Sequence, residues 1–231
     1  MRRTAGVWWA LVRATWGEQL SRRPFVALCL VYAVAETIGA LQTHELADPT
    51  LFLTVLLGAG SIGRDLTSGV LPLLFTRPLT RATYVLSKWL AVSSVAAIGG
   101  VLALVIQASL LAYRGFAPAA SAIGAAVFAS VATAAGLAAV LVFLSTLVSG
   151  FGDLGLWMIL RLAGFLVGRR VGPRFAEEWG ALLTPSLSWE TLSGWDAGAW
   201  FRLVSYLSTV TLLLCLAVVS ANRKEVSYAS G

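Results

Sequence analysis

Few residues in this sequence could do chemistry, and those few are scattered. Residues 150–153 read Gly-Phe-Gly-Asp, a string that intramembrane aspartyl proteases carry on one of two aspartates. Such a pair must share a proton inside the membrane. The other aspartates, Asp48, Asp65 and Asp196, all lie outside the apolar runs. The string also falls where two runs meet, and glycines with an aspartate suit a turn there. His44 is the sole histidine, in a short polar loop with no span-borne serine placed to use it. Cys29 and Cys215 sit within apolar runs and read as small buried hydrophobes. No metal-ligand spacing occurs, so neither a metal nor another cofactor is expected in this chain.

Three polar residues interrupt apolar stretches: Glu36, Arg161 and, more weakly, Gln107. Charge inside a bilayer is costly and turns towards a partner or a cavity. Glu36 and Arg161 could pair across a bundle, or line a route through it. Glu36 could also reach water at the outer boundary.

Composition sets the solvent. The chain has 231 residues, 58% of them hydrophobic and 12% charged. A soluble domain is about one quarter charged. Stretches of about 20 apolar residues span a bilayer as helices, and several occur here. The expectation is a single all-α integral membrane domain over 1–231, with six transmembrane helices at about 24–42, 49–63, 84–112, 118–147, 154–168 and 203–221. Residues 1–23 precede them as an amphipathic interfacial helix, with Trp8, Leu11, Val12, Trp16 and Leu20 on one side. Arg13, Glu18, Arg22 and Arg23 come before the first long apolar run, so a cleavable signal is not expected. The fourth span is dense in Ala and Gly and should pack against protein. The segment 169–202 is expected as an outer loop whose tryptophans, Trp179, Trp189, Trp195 and Trp200, favour short helices at the interface.

An even number of spans puts both termini on one side. Placing them in the cytoplasm leaves eleven Lys and Arg inside and five outside, with Arg161 in a span. That bias favours cytoplasmic termini. The net charge of +6 is therefore topology control, and nucleic acid is not an expected partner.

The stretch from Gly63 to Lys88 lies between the second and third spans. It opens with Arg64, Asp65 and Gly69, and continues with the apolar cluster Val70, Leu71, Leu73, Leu74 and Phe75. Pro78 and Arg81 close it. The cluster is too short to cross a bilayer and wants a covering surface. Pro72 can start a short helix there and Pro78 can end it.

Here the sequence resembles the permeases of the type 2 class of ATP-binding-cassette transporters. Asp65, Gly69, Leu71, Leu74, Pro78 and Arg81 carry the pattern, and the arrangement of spans matches over nearly the whole chain. Asp65 stands where the family more often has Glu, and Pro72 is unusual at its site. The resemblance implies that residues 64–83 form a coupling loop with a short cytoplasmic coupling helix. Asp65, Leu71, Leu73, Leu74 and Pro78 would dock a separate cytosolic ATPase. It also implies a second permease chain, identical or related, export as the direction, and a prokaryotic cell membrane as the location. ATP and Mg would be bound by the ATPase: the chain's lysines, Lys88 and Lys224, are in no P-loop setting. Two other functions share the spans. One is a non-transporting scaffold or assembly factor. The other is an ion-gradient carrier, which wants several span-borne carboxylates where Glu36 is alone.

Overall fold

A computed structural model describes residues 2–68, 80–192 and 197–229. These form helices joined by turns and short loops, with no strand among the described residues. The elements are α1 (Arg2–Ser21), α2 (Arg23–Thr43), α3 (Thr50–Gly58), α4 (Gly63–Thr67), α5 (Arg81–Tyr113), α6 (Ala120–Leu147), α7 (Gly152–Val171), α8 (Pro173–Leu183), α9 (Trp189–Leu192) and α10 (Ala197–Ala229). Among the described residues four helices are long and apolar enough to cross a membrane: α2, α5, α6 and α10 as far as Arg223. The protein is thus an all-α membrane protein.

The six expected spans meet the structure unevenly. The second, expected at 49–63, is a nine-residue helix followed by a turn. Nine residues rise only about 14 Å. The apolar run was real, but Gly58, Ala59 and Gly60 end the helix: Gly60 takes φ +68°, a left-handed conformation that suits glycine. The fifth, α7, has 20 residues but carries Asp153, Arg161, Arg169 and Arg170.

Helices α5 and α6 form the centre. Gly100 on α5 shows why they approach so closely: a Cβ there would lie 2.0 Å from the Thr50 hydroxyl and 2.6 Å from that of Ser130. Those two hydroxyls bond each other between α3 and α6. The small residues of α6 from Ser130 onward, among them Ala132, Gly136 and Ala139, do face protein, whereas Ala120 and Gly124 near its start are exposed. By contrast α2 and α10 bury little of their surface.

Helix α1 is docked on the bundle, with Val12, Thr15 and Gln19 buried and the Trp16 indole donating to Ser94 of α5. The buried stripe only partly follows the expected apolar one, since Leu20 is exposed and Gln19 is not.

Residues 173–192 return into the bundle. Gly172 (φ +138°) reverses the chain, and α8 runs back along α7. A Cβ at Gly164 would lie 1.8 Å from the Trp179 ring. The Trp179 indole donates to Leu160 O, and that of Trp157 to Leu183 O. Beyond α8 the chain crosses Gly136 in the middle of α6, where a Cβ would lie 2.3 Å from Pro185 O.

Candidate functional site

A cluster of charged residues lies at one end of the bundle, where α1, the α3–α4 turn, the start of α5, the end of α6 and the start of α7 meet. Helix α10 reaches the same end: Arg81 donates to Asn222 at 2.9 Å. Both terminal helices therefore lie there.

The turn at 59–63 is held by other elements through its backbone. Ala59 O accepts from Arg22 at 2.8 Å. Gly60 N donates to Asp153 at 2.8 Å. Ile62 N and Gly63 N both donate to the Ser145 hydroxyl, at 2.9 and 2.7 Å. Gly63 O accepts from Gly150 N at 2.9 Å. The first amides of a helix have no partner within it, and Ser145 supplies one to α4 from across the bundle. A side chain at Gly63 is excluded, because its Cβ would lie 2.5 Å from Gly150 O.

Around this turn lies an ionic cluster. Glu18 of α1 meets Arg22 at 2.7 Å, Lys88 at 3.5 Å and Arg64 at 3.6 Å. Lys88 also meets Asp65 at 3.0 Å, and Asp65 accepts from the Tyr84 hydroxyl. The Arg22 and Arg64 guanidinium groups lie over the Phe151 ring, 5.8 and 5.3 Å from its centre. Burial acts to raise the Glu18 pKa, but Lys88, Arg22 and Arg64 outweigh it and hold the carboxyl below its ordinary value. The side chains of Arg22 and Lys88 are each only 8% exposed. Removing a partner would strand a buried charge, which costs far more than losing a surface pair.

The expected coupling residues divide around this cluster. The carboxylate of Asp65 turns inward and fastens α4 to α5. Arg81 begins α5 and bonds to α10. Gly69, Leu71, Leu73, Leu74 and Pro78 lie outside the described residues. Thr80 caps α5 by accepting from Thr83 N.

The intramembrane candidates do not come together. Arg161 donates to Thr184 at 2.9 Å and lies over the Trp157 ring. Glu36 sits beside Tyr32 of its own helix and makes no ion pair with Arg161. Gln107 is fully buried; its oxygen accepts from Ala47 N at 3.0 Å, and its amide nitrogen has no partner.

Sequence reasoning missed Glu18, Arg22, Tyr84, Lys88, Ser145 and Asp153. One local signal was available, the i,i+4 spacing of Glu18 and Arg22. The glycines of 150–153 do make a turn, with φ +67° at Gly150. Asp153 leaves that turn for a fully buried position against Gly60.

A multi-pass helical bundle with an ionic cluster at the end that carries both terminal helices suits a membrane transport subunit. Residues 25–225 match the family described as ABC-2 family transporter protein. The chain belongs to that family and is a membrane permease of an ABC transporter. No curated protein matches it.

Proposed function

We propose that this chain is the permease of an ATP-driven exporter and that a separate cytosolic ATPase docks on residues 69–79. The observation that carries this reading is the anchoring on both sides of that segment. On its N-terminal side, α4 is tied by Asp65 to Tyr84 and Lys88 and by its turn to Ser145 and Asp153. On its C-terminal side, Arg81 is tied to α10. A push on residues 69–79 would reach α1, α5, α6, α7 and α10 through these bonds, biasing the bundle between two packings.

The same reading places the ionic cluster and both termini in the cytoplasm of a prokaryotic cell. It treats α3 with α4, and α7, as the two further passes of a six-pass chain. The nine residues of α3 and the five of α4 rise about 14 and 8 Å on either side of the 59–62 turn, and the 20 residues of α7 about 30 Å. Burial of α3 within protein supports its short helix at membrane depth. Helix α1 then lies at the cytoplasmic interface. Two permease chains, identical or related, would form the route, with ATP and Mg held by the ATPase.

The test is co-purification in mild detergent. A soluble P-loop subunit should accompany the wild-type chain and be lost from Leu74→Glu, with the variant still in the membrane. A wild-type chain that purifies without such a subunit, or Leu74→Glu that retains it and transports normally, contradicts the reading.

A further inference from the structure

Helices α2, α3 and α5 border an open groove of about 640 Å³. It starts at Leu20, at the end of α1, and follows α2 from Val26 to Leu41. Its walls are apolar except for Thr37, whose hydroxyl already donates to Ala33 O at 2.7 Å. No group in it asks for a polar ligand.

The shape decides what fits. Val26 to Leu41 is about 22 Å along the axis, and the groove is open along one side. Carbon atoms in contact lie about 4 Å apart, so a single hydrocarbon chain takes up roughly 20 Å². A length of about 22 Å of such a chain takes up roughly 440 Å³, which the groove can hold.

A charge marks where the head would lie. On α2 the groove-lining residues Val26, Leu30, Val34, Thr37 and Leu41 form one stripe at helical spacing. Arg23 continues that stripe by one turn towards the N-terminus. It is exposed, and no bond joins it to another side chain among the described residues. It also stands at the positive end of α2, where an anion offsets an otherwise unfavourable cation.

We propose that this groove binds one acyl chain of an anionic phospholipid whose phosphate meets Arg23. The inference needs only that these helices lie in a bilayer, and it stands or falls apart from ATPase docking. It would make the seating of α2, which buries little surface on the bundle, depend on lipid.

The test uses phosphatidylglycerol carrying a photoreactive diazirine on its acyl chain, in nanodiscs of phosphatidylcholine. Label should concentrate on the groove faces of α2, α3 and α5. Unlabelled phosphatidylglycerol should compete better than phosphatidylcholine, and Arg23→Gln should lower that preference about five-fold, the weight of one basic residue at an anionic surface. Ala33→Phe, which fills the groove, should remove groove labelling and leave labelling of the exposed Met158 and Ile159 unchanged. The competition on the wild-type chain needs no variant to fold. Groove label no denser than at Met158 and Ile159 would overturn the proposal. So would equal competition by the two lipids. A groove that stays unlabelled while Val34→Cys cross-links two copies in high yield would assign it to a second chain instead.

Discussion

The ionic cluster around the 59–63 turn and the α7–α8 hairpin both hold segments that could otherwise move, by different physics. The cluster uses charge: Glu18 and Asp65 face Arg22, Arg64 and Lys88 across elements as much as 70 residues apart. The hairpin uses shape: Gly164 and Gly168 admit Trp179 and Ala176 at distances that forbid any side chain. Charge contacts can be weakened or remade by pH, salt or a docking protein. A glycine seat has one geometry. The region that borders the proposed ATPase segment is thus the adjustable one.

The comparison breaks first at Lys88. Lys88→Ala leaves Asp65 and Glu18 without their buried cation and should cost roughly 3–5 kcal/mol. A thermal melt in detergent reads this as a large drop. Gly164→Ala should cost about 1–3 kcal/mol by overpacking against Trp179. Its loss should be the same at low and high salt, whereas the wild-type cluster weakens as salt rises.

A smaller effect comes from acid. The Glu18 carboxyl is held below its unfolded value of 4.5, so its contribution is fully present above pH 4.5 and fades as pH falls through the lower folded value. Melting of Glu18→Gln should therefore lie below wild type at neutral pH and converge with it in acid. An unchanged gap would remove Glu18 from the cluster's energetics. The smallest effect is expected at Glu36, which pairs with no other element. Glu36→Gln should leave both assembly and transport near wild type.

The two regions were not equally legible. The long helices α2, α5, α6 and α10 follow from apolar runs, which report on the solvent around each segment. Helix α7 was legible as a helix, and its tryptophan-rich sequel as short helices, but the depth to which α8 returns was not. That depth is set by Gly164, Gly168 and Gly136 accepting Trp179, Ala176 and Pro185 from elsewhere in the chain. The cluster was legible only in Asp65, through family resemblance. Glu18 read as part of a charged margin, and Lys88 as one of the basic residues beside a span. Asp153 read as a turn residue, because its partner Gly60 is 93 positions away.

The most direct test of coupling is transport per ATP in proteoliposomes containing this chain and its ATPase, comparing wild type with Asp65→Asn. The substitution keeps the side chain's shape and leaves Glu18 beside Lys88, while removing the charge that ties α4 to α5. The expected result is a variant that binds the ATPase as well as wild type does and hydrolyses ATP, but transports several-fold less per ATP. Wild-type transport per ATP in Asp65→Asn would contradict the claim that this cluster carries the docking event into the bundle.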